Sequence, residues 1–175
     1  MYSEEKLMDM KRTLYHHTID SPVGSLLLMG DRDALYGVHF QSGPRPTKPP
    51  KDWEEDARPF KEAVRQLKAY FAGTLRSFDL PLAPQGTEFQ LKVWEALQSI
   101  PYGETWSYGE LARRIRRPAA SRAVGAANGQ NPIPVIVPCH RVIGADGSLT
   151  GFGGGLPIKQ KLLALEGALP QARLF

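Results

Sequence analysis

The sequence predicts a two-part α/β protein, with a small sheet-and-helix unit over residues 1–85 and a mainly helical unit over residues 86–175. Three observations carry that expectation. Short apolar runs separated by turn residues fill 13–40, an apolar stripe at helical spacing follows in 59–72, and two capped helical patterns begin only after Ala83-Pro-Gln-Gly86. At 175 residues the chain can bury a core without disulfide or metal staples.

The first run, Thr13 to Asp20, alternates imperfectly, and Ser21-Pro-Val-Gly24 turns the chain into Ser25 to Met29. Asp31-Arg-Asp33 makes a second turn before Ala34 to Phe40, so three strands in a meander are the simplest arrangement. His16, His17 and His39 lie on these strands without the cysteine or carboxylate pattern of a metal site, and no metal is assigned. Five prolines and the acidic cluster Glu54, Glu55 and Asp56 make 42–59 a loop. From Pro59 to Ala72 the stripe of Phe60, Ala63, Val64, Leu67, Tyr70 and Phe71, ended by Gly73, predicts a helix that covers the meander. Phe78 to Leu82 is expected to add a strand, and residues 83–86 form the domain boundary.

In the second half, Thr87 caps a helix that aligns Phe89, Val93, Trp94 and Leu97 and ends before Pro101. Ser107 caps another over Tyr108 to Ile115. Arg116, Arg117 and Pro118 break it, and Ala119 to Ala127 forms a second short helix. Helix, brief turn, helix, with Arg113, Arg114, Arg116, Arg117 and Arg122 clustered, is the pattern of a helix-turn-helix. Arginines that merely solvate an exposed face produce the same pattern. Ala119, Ala120, Ala123, Gly125, Ala126 and Ala127 leave the second helix slim, which suits either a narrow groove or close packing against its neighbour.

Charge separates the halves further. Residues 1–85 carry 12 basic and 12 acidic side chains, whereas 86–175 carry 10 and 6, so the whole net charge of +4 lies in the second half. A polyanion such as DNA is drawn to that half.

Cys139 is the only cysteine, which excludes a disulfide framework and a cysteine zinc site and points to a reducing compartment. No charged-then-apolar leader opens the chain and no run approaches the ~18 apolar residues of a membrane span, so the expected location is the cytosol. The stretch Ile133-Pro-Val-Ile-Val-Pro-Cys-His-Arg-Val-Ile143 runs out of apolar residues into Pro138, Cys139, His140 and Arg141. A thiolate is the nucleophilic form, and a nearby imidazole or guanidinium lowers a cysteine pKa; Cys139 has both types of neighbour in sequence. Successive strand residues point to opposite faces, so contact with the sulfur requires a turn after Pro138. A lone cysteine among β-branched residues is also the pattern of an inert core thiol.

Ile136-Val-Pro-Cys-His-Arg-Val-Ile143 resembles the active-site signature of the O6-alkylguanine-DNA alkyltransferases. Tyr102-Gly-Glu-Thr-Trp-Ser-Tyr-Gly-Glu-Leu-Ala112 and Ala120 to Pro132 resemble that family's helix-turn-helix and its asparagine hinge. Gly151-Phe-Gly-Gly-Gly155 and Lys161 to Gly167 resemble its substrate loop and final helix, and the similarity runs continuously from Gly86 to Gly167.

The resemblance implies a ribonuclease-H-like N-terminal domain and direct DNA repair. An alkyl group moves irreversibly and stoichiometrically from guanine O6, with thymine O4 as a second candidate, to Cys139, after nucleotide flipping through the minor groove. It implies that His140 deprotonates the thiol through a water, that Glu166 orients His140, and that Asn131 braces the turn presenting Cys139. Tyr108 crowds the 3′ phosphate and hydrogen-bonds the guanine, and Arg122 fills the vacated stack. Gly109, Arg117, Ala123, Ala126 and Ala127 complete the DNA face with Tyr108, while Val142, Phe152, Gly153 and Gly154 line the substrate pocket. No cofactor is expected, since the cysteine is the acceptor. The expected partner is double-stranded DNA containing O6-alkylguanine, met by a monomer with no membrane association, and cooperative loading on DNA is left open. Glu166→Gln is expected to spare the fold.

Two residues depart from the family pattern: Leu91 stands where a basic residue follows Phe-Gln, and Phe152 where tyrosine is frequent. A non-catalytic alkylguanine-binding module is disfavoured by the presence of Cys139. A cysteine hydrolase lacks an evident oxyanion loop and leaves the arginine-rich helix pair unexplained.

Overall fold

The computed structural model describes residues 12–169, so the outermost ends of both expected domains, 1–11 and 170–175, lie outside the described residues. The N-terminal half contains the expected meander: β1 (Tyr15–Ile19), β2 (Leu26–Gly30) and β3 (Leu35–Phe40), paired antiparallel in sequence. β2 is buried at every position. Its unbroken Leu-Leu-Leu-Met run is that of a central strand covered on both faces rather than an alternating, half-solvated one. The proline-rich loop holds an element the sequence does not announce. The two-residue strand β4 (Glu54–Glu55) adds parallel to β1, giving a sheet ordered β3-β2-β1-β4.

Residues 78–82 do not form the expected strand. They contribute a single bridge, Leu82 to Leu35, flanked by hydrogen bonds from Leu35 N to Pro81 O and from Ala83 N to Leu35 O. Pro81 has no N–H to extend the ladder, so the pairing stops there.

A 3₁₀ turn (Arg58–Phe60) leads into α1 (Lys61–Phe71), which buries Ala63, Gln66, Leu67 and Tyr70. Gly73 ends it with φ 76°, a left-handed conformation that glycine adopts without strain. Gln66 is buried because its amide bonds the backbone on both sides of Asp79, where its N–H reaches Asp79 O and its oxygen accepts from Asp79 N. That pair tethers the connecting segment to the helix.

In the C-terminal half, α2 (Glu88–Leu97) and α3 (Tyr108–Arg114) both begin with full capping boxes, Thr87 with Gln90 and Ser107 with Glu110. Each satisfies two orphan donors of the first turn. α3 is followed by Arg116 at φ 60°, which turns the chain into α4 (Ser121–Gly129). The short strands β5 (Trp106–Ser107) and β6 (Val142–Ile143) pair in parallel, and α5 (Leu156–Leu165) closes the unit.

One hydrophobic core runs through both halves, joining Leu26, Leu28, Leu67 and Tyr70 to Val93, Leu111, Val124, Ile133 and Leu162. Val38 N also donates to Pro132 O across the boundary at 2.9 Å. The N-terminal sheet therefore supports the backbone just ahead of Cys139.

Candidate active site

Between α4 and β6 the chain crosses Pro132, Pro134 and Pro138, none of which can donate a backbone hydrogen bond, so neither helix nor ladder continues here. Asn131 organises the turn instead. Its oxygen accepts from Ile133 N at 3.0 Å and its amide donates to Val137 O at 2.8 Å, while Val137 N reaches back to Ile133 O at 2.9 Å. Inside this clamp Val135, fully buried, sits at φ 72°. A β-branched residue in that region is strained and persists only where its surroundings over-determine it. Asn131 thus spans the turn that precedes Cys139.

The chain then enters a 3₁₀ turn over Cys139–Arg141, so His140 and Arg141 are free of strand alternation. Both side chains are drawn to Glu166. His140 Nε2 lies 2.7 Å from Glu166 Oε1. Arg141 donates from Nε to Oε2 at 2.8 Å and from Nη2 to Oε1 at 2.9 Å. Cys139 is buried, and burial pushes its pKa up to about 11, against a hydrogen bond with Asn131 and the charge of Lys159, which pull it down. Of the two patterns the sequence left open, the shift follows the buried core thiol, and the resting group at neutral pH is a thiol.

Glu166 is a buried hub. Tyr70 of α1 donates to its Oε1 at 2.7 Å, and Arg141 is tied further by Nη1 to Ile100 O at 2.7 Å. Burial works to raise the Glu166 carboxyl, but the hydrogen bonds and charges of His140 and Arg141 outweigh it and hold the pKa down to about 2. The carboxylate stays ionised and can only accept, so His140 must donate from Nε2 and carries its lone pair on Nδ1. Burial lowers the His140 pKa against the pull of Glu166, so the ring is neutral rather than charged as pairing alone suggests. Nδ1 is buried and makes no hydrogen bond within the protein among the described residues. A bare basic nitrogen is thus one residue away from the thiol.

Several site residues are not evident from sequence. Asn128, on α4, donates to Cys139 O at 3.3 Å. Tyr70 and Arg141 complete the shell of Glu166. Lys159 is fully buried on α5 and donates to Val142 O at 2.6 Å and Thr150 O at 2.9 Å. Burial lowers its pKa to about 8, opposed by Cys139. It has no carboxylate partner among the described residues, so a thiolate at Cys139 is its natural counter-charge.

A cavity of about 190 Å³ opens beside Cys139, with Phe152, Gly153 and Gly154 in its wall. A Cβ on Gly154 would come within 2.7 Å of the Phe40 ring, so only glycine permits that approach, and Phe152 packs on Phe40 at 5.6 Å between ring centroids. Val142 is not part of this wall. It is fully buried and paired with Trp106, which corrects its assignment to the pocket. A larger cavity of about 320 Å³ borders Arg76, Tyr102 and Arg141, but Cys139 does not reach it.

The α3–α4 pair presents Arg117, Arg122, Ala123 and Ala126 to solvent. Ala127 belongs to the opposite face, 2 % exposed with its carbonyl accepting from Trp94 Nε1, so it cannot contact DNA as the resemblance implies. A Cβ on Gly125 would sit 3.6 Å from the Tyr108 ring, an ordinary van der Waals contact, so this position lies against Tyr108 of α3. Tyr108 is half-buried at the start of α3 beside Gly109, and its hydroxyl lies 3.0 Å from Thr150 Oγ1. Leu91 is 39 % exposed on α2, leaving an apolar spot where a basic residue is usual.

Comparison with known proteins agrees with this architecture. Residues 14–84 match the family model described as 6-O-methylguanine DNA methyltransferase, ribonuclease-like domain, and residues 88–168 that of the DNA binding domain of the same family. A methylated-DNA–protein-cysteine methyltransferase of Methanosarcina acetivorans is 57% identical over 155 residues, covering 89% of this chain and 99% of the relative. One from Mycolicibacterium paratuberculosis is 55% identical over 152 residues, with 86% and 91% covered. The crystal structure of Mycobacterium tuberculosis OGT in complex with DNA is similar at a TM-score of 0.82 and 52% identity, over 88% of this chain and 93% of that one.

Proposed function

The chain belongs to the 6-O-methylguanine DNA methyltransferase family and is a DNA-repair methyltransferase that acts on a protein cysteine, and from that membership we propose that it removes alkyl groups from guanine O6 in duplex DNA in one irreversible turnover on Cys139. The observation that carries this reading is the neutral, Glu166-anchored His140 whose bare Nδ1 is buried one residue from the only thiol.

Guanine O6 lies inside the base stack, so the nucleotide is turned out through the minor groove at a cost of a few kcal/mol. Exposed Arg122 on α4 fills the vacated stack, with Ala123 and Ala126 leaving room for the groove walls and Gly109 and Arg117 meeting the backbone. Tyr108 crowds the 3′ phosphate and supports the guanine ring. Its bond to Thr150 couples α3 to the segment that Lys159 holds.

At the thiol, the Sγ proton passes through a bridging water to Nδ1 of His140, and Glu166 stabilises the imidazolium. Lys159 faces the resulting thiolate with a compensating charge. The sulfur forms its bond to the alkyl carbon as the carbon–O6 bond breaks, the bonding pair leaves on O6, and guanine takes up a proton at N1. The thioether has no leaving step, so the protein is consumed. Alkylated thymine O4 offers the same in-line geometry and is the second lesion to assay. We read the protein as a monomer of a reducing, cytosolic compartment, where the single thiol stays free.

The direct test is the intact-protein mass after mixing with duplex DNA carrying O6-methylguanine. One added methyl mapped to Cys139 is expected; an unmodified protein, or a methyl elsewhere, overturns the reading. Arg122→Ala is expected to slow repair of the duplex by one to two orders of magnitude, on the order of the few kcal/mol that extrusion costs, while reaction with free O6-benzylguanine is spared. Equal losses on the two substrates would place Arg122 in the chemistry or the fold instead.

A further inference from the structure

We propose that the cavity beside Cys139 is an alkyl subsite completed by the N-terminal half, in which Arg45 selects O6-alkylguanines whose alkyl group ends in an anion, carboxymethyl being the smallest. The inference rests on the alkyl-transfer reading above. Its first support is orientation. In an in-line displacement O6 departs opposite the sulfur, so the other substituents of the attacked carbon project sideways, and any group longer than methyl needs space beside Cys139. The cavity supplies that space between the C-terminal end of α4, where Asn128 and Gly129 border it, and the N-terminal half, which contributes Val38, His39 and Phe40 of β3 and Arg45 and Thr47 of the following loop.

The second support is charge. No acidic residue lines the cavity, and Arg45 forms no ion pair among the described residues. Burial lowers the pKa of His39, which keeps that ring neutral, so Arg45 is the one formal charge on the wall. A guanidinium matches a carboxylate in a planar, two-bonded fashion.

The third support is that the loop is held in place. Gln41 clamps Thr47 from both sides, its amide donating to Thr47 O at 2.7 Å and its oxygen accepting from Thr47 N at 2.9 Å. The same loop lies on the substrate segment, because a Cβ on Gly43 would meet Gly154 O at 3.0 Å. Arg45 is therefore presented by a closed loop docked against Gly154, not by a free tether. In the reaction itself Cys139 Sγ bonds to the methylene carbon, the methylene–O6 bond breaks with its pair leaving on O6, guanine gains a proton at N1, and S-carboxymethylcysteine remains opposite Arg45.

Single-turnover transfer to the full-length protein is followed by intact mass with three duplexes, carrying O6-methylguanine, O6-carboxymethylguanine or the neutral and similarly sized O6-carbamoylmethylguanine. Arg45→Ala is expected to slow the carboxymethyl reaction by about tenfold, the loss of one charge-assisted contact, and to leave the other two unchanged; Arg45→Lys should recover part of the loss. Equal slowing of all three lesions would mean that Arg45 contacts the DNA phosphates, and an unchanged carboxymethyl rate would mean that it contacts nothing; either result overturns the subsite. A wild-type protein that accepts methyl but not carboxymethyl also overturns it while sparing the repair activity. Failure with every lesion instead removes the alkyl-transfer reading on which it stands.

Discussion

Cys139→Ser is expected to abolish alkyl transfer while leaving duplex binding unchanged. A hydroxyl is far less nucleophilic than a thiol, and the relay that deprotonates the thiol works against a pKa of about 11, well below that of an alcohol. The substitution is nearly isosteric at a buried position, and the serine hydroxyl inherits the hydrogen bond with Asn131. Its cost in stability is accordingly small, ~1–2 kcal/mol. Arg117, Arg122, Ala123 and Ala126 are on the outer surface of the helix pair, remote from that change. Intact mass after incubation with methylated duplex, beside a gel-shift titration, checks both halves of the expectation. Residual methyl transfer to the serine protein would mean that another residue is the acceptor. The resting thiol has a separate signature: alkylation of the wild type by iodoacetamide should be slow at pH 7 and accelerate toward pH 11, since burial keeps the thiolate scarce. Fast labelling at neutral pH would show that the sulfur is already ionised.

Much of the frame was legible in the chain because it is written locally. Thr87 and Ser107 cap helices through bonds to residues three positions away, and the apolar stripes that meet in the core repeat at fixed spacing. The pairing of His140 with Glu166 was expected only through the resemblance, and the rest of the arrangement was not legible, because Tyr70 and Arg141 are 96 and 25 residues from Glu166 and no local pattern connects them to it. Lys159 is hidden for a related reason. In sequence it is a lysine next to Gln160 and Lys161 and looks like part of a solvated face, yet its ammonium lies against two buried carbonyls. The Cys139 shift was open in the sequence between a lowered pKa and an inert core thiol, and burial, a property of the whole fold rather than of the sequence neighbours, decides it upward. The 78–82 strand failed because apolar alternation ignores Pro81, which ends the ladder after one bridge. Ala127 was misassigned because small size marks both a groove-facing and a tightly packed position.

Glu166→Gln is the change for which the structure most alters the expectation drawn from sequence. As a residue at a helix end that merely orients His140, Glu166 would be replaceable by glutamine without harm to the fold. Four donor contacts converge on its two oxygens instead, from Tyr70, His140 and both Nε and Nη2 of Arg141. A glutamine amide turns one oxygen into a donor that must face another donor, and it leaves the Arg141 guanidinium buried without a counter-charge. Removing one partner of a buried pair costs ~3–5 kcal/mol, which for a chain of this size lowers the melting temperature by roughly 10 °C. Transfer should slow as well, because a misplaced His140 no longer offers Nδ1 to the thiol. The pH dependence separates the two effects. Since the folded Glu166 pKa is depressed from 4.5 to about 2, its contribution is fully present above pH 4.5 and disappears as pH falls toward 2. The gap in stability between wild type and variant is therefore expected to be wide at pH 7 and to narrow progressively below pH 4.5, whereas the loss in transfer rate, measured at pH 7 and well below the melting temperature, should persist in protein that is fully folded. Urea titrations across that range test the first part. A gap independent of pH would show that Glu166 acts through packing alone, and a fully folded variant with wild-type transfer at pH 7 would remove it from the relay.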